Sequence, residues 1–280
     1  MNLTEMERFQ AANVRPVISQ VITALAPYQN MPVSVSMWYQ LLQLLYAIVA
    51  PAAERSAMIS RDYYDAKRAE AGLPPHLIPL SYLSYEKFVR DMSEVRKDLF
   101  APESSAGAIH RAAMRAARSV ENSGRWTIMR ATEYEDSAFD ESGPGSQRAR
   151  GPNGVRGWAR VATGAETCGW CWMLVSRGPV YREASTAGSR LSDRDSLQMV
   201  GSQTFDAAEH MTQWHTGCDC KIVPVFDLKN WDGRDRYLAA EELWKKTSKN
   251  ATNNRDAINA YRRAVEAGEI QEILSQPMAA

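Results

Sequence analysis

The sequence has no excess of charge of either sign, and this limits the partners that it can attract. Its 280 residues include 33 lysines and arginines and 33 aspartates and glutamates. A chain with this balance has no overall basic field to attract nucleic acid or an anionic membrane surface. Contacts with such partners would have to come from a local cluster of basic side chains.

Long apolar runs are also absent, although 45% of the residues are hydrophobic, as in an ordinary globular protein. The most apolar stretch, residues 37–53, contains Pro51 and is followed directly by Glu54 and Arg55. It is too short and too interrupted for a membrane span, which needs about 20 mainly apolar residues. The first ten residues, MNLTEMERFQ, carry acids where a secretory signal has a basic start and an apolar run. We therefore expect neither a membrane segment nor an export signal.

Two common catalytic motifs are missing. No Gly-x-Ser-x-Gly turn presents a hydrolase serine, and Ser202, which precedes His210, is a weak substitute. The Gly-Pro-Gly at 143–145 lacks the Lys-Ser/Thr and the helix that follow a phosphate-binding loop. These absences argue against a serine hydrolase and a nucleotide-binding enzyme.

Helical periodicity dominates both ends of the chain and predicts a mostly α protein of α+β type. We expect a first helix with a capping box at Thr4 and Glu7, and a second helix that Pro51 kinks or splits in two. A further helix should break at Gly124, and the tail from residue 269 should fray. Short strands are expected at 158–161 and 220–226, the second confined by Pro224 to an edge or a strand end. The predicted organisation is a helical N-terminal domain (1–135), a basic Gly/Ser/Arg linker (136–157), a cysteine-rich α+β module (158–227) and a helical C-terminal extension (228–280).

The linker region is the one locally basic part of the chain. Between residues 142 and 165 it carries Arg148, Arg150, Arg156 and Arg160 with no acidic residue to offset them. These arginines could contact DNA phosphates, and a solvated flexible linker is the alternative interpretation.

All four cysteines lie within one stretch, as Cys168-x-x-Cys171 and Cys218-x-Cys220, and His215 precedes the second pair. Two thiolates in a C-x-x-C turn can reach one zinc ion, and a second cluster must supply the remaining tetrahedral ligands. We therefore predict a structural zinc site. Cys168, Cys171, His215, Cys218 and Cys220 are five candidate ligands for four coordination positions, so one of them does not bind the ion. Trp170, Trp172 and Trp214 would supply its apolar surroundings.

Other interpretations of the cysteines stay open at this stage. They could be unrelated buried thiols, a pair of disulfides, or a redox-active Cys168–Cys171 pair. Cys168 or Cys171 could also act with His215 as a nucleophile and base, with Asp219 orienting the imidazole. The catalytic interpretation leaves Cys218 and Cys220 without a role.

The residues around the cysteines resemble a known family. The stretches RVATGAETCGWCWMLVSRGPVY and WHTGCDCKIVPVF are similar to the C-terminal module of the MuF-like minor capsid, or head morphogenesis, proteins of tailed phages, particularly those of actinobacterial hosts. The helical half is similar through Tyr63, Tyr64, Asp65, Arg68 and Gly72. The resemblance covers roughly residues 35–226.

This resemblance implies a minor capsid protein that acts in head morphogenesis, portal association and DNA packaging or ejection. The implied partners are the portal protein, on which the chain could oligomerise, the major capsid protein and packaged DNA. The implied location is the capsid interior near the portal, reached from the host cytoplasm during assembly. Family members are often labelled capsid maturation proteases, so the alternatives are such a protease and a DNA-binding virion module. We expect a non-enzymatic protein, because no convincing protease constellation is present.

Overall fold

The computed structural model describes residues 1–31, 33–75, 80–99, 101, 106–133, 154–164, 167–179, 214, 218 and 220–275. Within these ranges the chain is helical, with one small sheet, and this confirms the predicted fold class. The elements in chain order are α1 (Leu3–Leu25), a 3-10 turn (Ala26–Tyr28), α2 (Val35–Glu70), α3 (Tyr85–Leu99), α4 (Ala106–Glu133), β1 (Gly157–Val161), α5 (Gly169–Val175), β2 (Lys221–Val225), α6 (Arg234–Ser248), α7 (Asn254–Glu266) and α8 (Glu269–Ser275).

The contacts divide the chain into two compact units. The first contains the described residues of Met1–Ala66 and Leu77–Ile128, and the second contains those of Lys67–His76, Met129–Trp214 and Cys218–Ala280. The first is built from helices alone, whereas the second holds the sheet, the cysteines and the C-terminal helices.

Helix α1 begins two residues earlier than the predicted capping box. The side chain of Asn2 accepts a hydrogen bond from the backbone N–H of Glu5, and the Glu5 carboxylate accepts one from the backbone N–H of Asn2, both at 2.9 Å. The predicted box at Thr4 and Glu7 was therefore wrong. Asparagine caps a helix at least as well as threonine, and the Asn2–Glu5 pair has the same spacing.

Helix α2 runs unbroken through Pro51. Of the two outcomes predicted there, a kink or a split, the split was therefore wrong. Proline deprives the carbonyl group four residues earlier, that of Ala47, of its helical hydrogen bond. Both Pro51 and Ala47 are exposed, so water can bind that carbonyl and the helix continues. Burial at 0% exposure of Leu45, Val49 and Ala52 on the opposite side holds both halves against the same core.

Among the described helices, α2 alone is long and apolar enough to cross a membrane by length and composition, with a mean hydropathy of 1.2 over its most apolar window. The expectation that the apolar stretch around residues 37–53 is too short for a membrane span was therefore too strict. Core helices of soluble proteins meet the same criteria. In this structure the apolar stripe from Trp38 to Val49 packs into the core of the first unit.

The core of the first unit joins all four of its helices along apolar stripes at helical spacing. Ser34 and Ser84 act as N-caps, because their hydroxyls accept hydrogen bonds from the backbone N–H groups of Met37 and Lys87, both at 3.2 Å. The caps start α2 and α3 in register with their stripes. The main contributors are Val17, Val21, Leu25, Trp38, Leu41, Leu42, Leu45, Val49, Phe88, Met92, Leu99, Ile109, Ala113, Ala116 and Val120.

Helix α4 continues through Gly124, where the sequence predicted a break. A buried polar group explains the glycine: the side-chain amide of Gln10 donates to the carbonyl oxygen of Ser56 at 2.9 Å and to the hydroxyl of Ser60 at 3.1 Å. The Ser56 hydroxyl donates back to Gln10 at 2.7 Å. A Cβ atom at position 124 would lie 2.5 Å from the Ser60 hydroxyl oxygen. Glycine therefore permits a close approach of helices and does not end the helix.

The second unit is built around β1 and β2, which pair antiparallel with Trp158 opposite Pro224 and Arg160 opposite Ile222. Both strands of a two-stranded sheet are edges, so Pro224 can occupy β2 with its missing N–H outside the ladder. Helices α5 to α8 pack together through a core that includes Trp172, Leu174, Ala240, Leu243, Ile258, Tyr261 and Ile270.

The tail is ordered further than the sequence predicted. Residues 269–275 form α8, and Ile270 is buried against the core of the second unit. Gly268, at φ 86°, makes the left-handed turn that ends α7 and lets the chain reverse into α8. The predicted fraying from residue 269 was therefore wrong for this part of the tail.

Replacing Gly124 with alanine should destabilise the first unit, because the new Cβ would displace the hydrogen-bonded Gln10, Ser56 and Ser60 side chains. We expect a loss of about 1–3 kcal/mol in the free energy of unfolding, the usual cost of overpacking. Urea titration followed by circular dichroism measures it. The matched control is Gly107→Ala, at an exposed position in the same helix, which should be neutral or slightly stabilising. Equal effects of the two substitutions would contradict the close approach at Gly124.

Candidate metal centre

The first cysteine pair lies at the start of α5. Cys168 is the N-cap residue, in extended conformation, and its Sγ accepts a hydrogen bond from the backbone N–H of Cys171 at 3.5 Å. Cys168 is exposed and Cys171 is buried. The contact with the helix backbone holds the Cys168 sulfur next to Cys171.

The second pair reaches the same place from the other end of the module. Cys220 directly precedes β2, and Cys218 lies two residues earlier. Both are buried, and the Sγ of Cys218 lies 3.5 Å from that of Cys171. The sulfur atoms of Cys171, Cys218 and Cys220 all lie within 4.8 Å of one another. Within the described ranges these three form the one cluster of potential metal ligands.

These distances fit a metal site better than a disulfide. None of the four cysteines forms a disulfide. A disulfide would need a sulfur–sulfur distance of about 2.05 Å, far shorter than the 3.5 Å between Cys171 and Cys218. Four sulfurs placed about 2.3 Å from a tetrahedral zinc ion are separated by roughly 3.8 Å. The 3.5 Å distance, and the 4.8 Å limit on the other two sulfur–sulfur distances, are close enough for the three thiols to bind one such ion.

The electrostatics of the cluster disfavour thiolates in the absence of a cation. Hydrogen bonds with Cys168, Cys218 and Cys220, together with burial, raise the pKa of Cys171. The pKa of Cys220 is also raised, since the lowering effect of its hydrogen bond with Cys171 is outweighed by its hydrogen bond with Cys218 and by burial. A nucleophilic cysteine needs a lowered pKa. These two thiols are therefore poor nucleophiles and suit a metal ion, whose charge replaces the protons.

The three tryptophans predicted to surround the cysteines differ in burial and in the residues that they contact. Trp214 and Trp172 are buried, whereas Trp170 is partly exposed. The ring of Trp172 belongs to the core shared with α6, α7 and α8. Trp214 instead lies against a charged side chain, with its ring centroid 4.3 Å from the guanidinium carbon of Arg160.

Arg160 is the residue whose position sequence reasoning missed. It lies in β1 and is only 1% exposed, so its guanidinium is inside the unit and not on the surface of a linker. Arg156 is exposed, and Arg148 and Arg150 lie outside the described residues. The sequence did contain a signal for this burial, because Arg160 lies within a short apolar strand. Its neighbours Trp158, Ala159 and Val161 are all buried.

Several other predicted residues lie outside the part of the chain that the structure describes. These include the fifth candidate ligand, His215, and the residues of the alternative catalytic arrangements, Asp219, Ser202 and His210. The structure therefore brings the sulfurs of Cys171, Cys218 and Cys220 together between α5 and β2. Cys168 contacts Cys171 but is not one of these three, and the place of His215 stays a prediction.

Comparisons with known proteins give a consistent result over almost the whole chain. The model of the family described as VG15 protein matches residues 3–247. A protein named Gene 15 protein from Mycobacterium phage D29 is 32% identical over 285 residues, which cover 94% of this chain and 93% of the relative. Its namesake from Mycobacterium phage L5 is 32% identical over 299 residues, covering 96% and 97%. No solved structure gives a significant match, and the resemblance to MuF-like proteins stays a prediction.

The thiols should be free but unequal in reactivity. Alkylation of denatured protein, purified without reductant, should add four adducts, because no disulfide is present. In the native protein Cys171, Cys218 and Cys220 should react at least about tenfold more slowly than when denatured, since burial withholds them from the reagent. Mass spectrometry of peptides measures the rates. Fewer than four adducts after denaturation, or rapid native labelling of Cys171, would contradict this arrangement.

Proposed function

We propose that this chain, which belongs to the VG15 protein family, is a minor structural protein of a bacteriophage head. The observation that carries the proposal is its identity of 32% with two mycobacteriophage proteins over more than nine-tenths of both lengths. A match of this extent includes both units and the cysteine cluster, so the relation is to the whole chain and not to one motif.

The role within the head follows from the resemblance to MuF-like minor capsid proteins. On that basis the chain assembles inside the capsid near the portal, contacts the portal protein and the major capsid protein, and acts in DNA packaging or ejection. The raised pKa values of Cys171 and Cys220 support a structural role for the cysteines over a cysteine protease.

The second part of the proposal is that the cysteines bind a structural zinc ion. Cys171, Cys218 and Cys220 supply three thiolates, and Cys168 is the favoured fourth ligand because its sulfur contacts Cys171 at the rim of the cluster. His215 is the alternative fourth ligand. Burial of the three central sulfurs leaves little room for the open coordination position of a catalytic zinc.

Such a zinc ion would connect two parts of the chain that are far apart in sequence. Cys171 belongs to α5, and Cys218 and Cys220 lie before β2, with 46 residues between Cys171 and Cys218. A metal that closes a loop of this length restricts the unfolded chain and ties the strand to the helix. Apparent binding energies of about 10–16 kcal/mol for structural zinc are comparable to the whole stability of a domain. The second unit should therefore depend on the metal for its stability.

Metal analysis tests the zinc site. Protein purified without chelator should contain about one zinc ion per chain, and Cys171→Ser, Cys218→Ser and Cys220→Ser should each abolish stoichiometric binding. Cys168→Ser and His215→Ala identify the fourth ligand, since only one of them should lower zinc affinity strongly. His110→Ala, at an exposed histidine of α4, is the matched control and should keep its zinc. Metal-free wild-type protein would overturn the site.

The location in the head is tested on purified phage particles. The protein should be found by mass spectrometry in particles with few copies relative to the major capsid protein, and chemical cross-linking should connect it to the portal protein. Deletion of its gene should impair head assembly or DNA packaging. Its absence from particles, with normal heads formed without it, would overturn the proposal. Capsid-protein trimming that disappears with Cys168→Ala or His215→Ala, in a variant that still binds zinc, would instead establish the protease alternative.

A further inference from the structure

Arg160 has an environment that is unusual for an arginine. It is 1% exposed in β1, between residues that are themselves fully buried. Its guanidinium group is a cation that the surrounding residues have to accommodate. Its Nε and Nη2 atoms have no hydrogen-bond partner among the residues that the structure describes. A buried charge of this kind requires compensation.

The aromatic contact of Arg160 compensates only part of the charge. The guanidinium carbon lies 4.3 Å from the centroid of the Trp214 ring, a distance typical of a cation–π interaction. The ring attracts the cation through its quadrupole but carries no net charge, so the assembly of Arg160 and Trp214 remains positive. A full counter-charge has to come from another group.

The cysteine cluster lies on the same side of the sheet as Arg160. Arg160 pairs with Ile222 in the ladder, and directly paired residues project to the same face. Cys220 precedes Ile222 by two residues, so a continuing strand places its side chain on that face, diagonal to Arg160. Arg160 is also close enough for its positive charge to act on the Cys220 thiol.

We propose that Arg160 is the counter-cation of the metal centre formed by Cys171, Cys218 and Cys220. Three thiolates and one divalent zinc ion carry a net charge of minus one, which the single positive charge of Arg160 neutralises. A fourth thiolate at Cys168 would be exposed, so water can solvate its charge. Arg160 is thus a positioning residue that stabilises the metal-bound form without touching the metal. This inference rests on the proposed zinc site.

Removal of the Arg160 charge should affect stability differently from the loss of a simple packing contact. With zinc bound, Arg160 faces an anionic centre and should stabilise the fold. Without zinc the anionic zinc–thiolate centre that faces Arg160 is lost, and the same guanidinium becomes a buried charge without its counter-charge. The effect of removing the charge should therefore change sign between the two forms.

Arg160→Met tests this, because methionine keeps an apolar stem of similar length and removes the charge. Zinc affinity, measured by competition with a chromophoric chelator, should fall about 10- to 100-fold, as for other outer-shell partners of metal ligands. The urea midpoint of the zinc-loaded variant should fall relative to wild type, while that of the zinc-free variant should equal or exceed it. Arg160→Lys keeps the charge and should retain most of the affinity.

Arg156→Met is the matched control, since it removes an exposed arginine four residues away and should leave zinc affinity unchanged. Unchanged affinity in Arg160→Met, or an equal fall in the urea midpoint with and without zinc, would overturn the role of Arg160. If Arg160→Met fails to fold with zinc, recovery by Arg160→Lys supports the proposal and failure of both overturns it. Absence of zinc from the wild type would refute the proposed zinc site itself.

Discussion

The meeting of three buried thiols between α5 and β2 is the constraint on which the second unit depends. Cys171, Cys218 and Cys220 bring polar sulfur into a place that apolar side chains could have filled, and they do so with spacings near those of a tetrahedral metal site. Contacts with the neighbouring thiols and burial raise the pKa of Cys171 and of Cys220. The arrangement is suited to supplying three ligands of a metal centre.

The neighbouring residues support the same interpretation, because one of them supplies a buried positive charge. Arg160 is buried against Trp214 in the strand that pairs with β2, where an isolated cation would be strongly unfavourable. Gly233 adds a steric constraint in this region, since a Cβ there would lie 2.6 Å from both methyl groups of Val161. With φ at 87°, it begins α6 against β1. Strand, arginine and cysteines thus form one locally interdependent group.

The first unit has a different physical basis, and it suits a protein that works in an assembly. Its helices are held by long apolar stripes and by the polar group of Gln10, Ser56 and Ser60, which requires Gly124. No metal ligand cluster occurs among its described residues. The match to the VG15 family and to two mycobacteriophage proteins includes both units.

The sequence by itself determined the helical stripes, the two short strands and the pairing of cysteines, because each depends on local spacing along the chain. It did not determine how breakers such as Pro51 and Gly124 behave, because their effect depends on exposure and on the neighbouring helix. For the same reason charge patterning grouped Arg160 with linker arginines, whereas strand pairing buries it beside Cys220. Which groups meet across β1, β2 and α5 was decided only by the tertiary structure, since contacts between distant residues are not encoded in local periodicity.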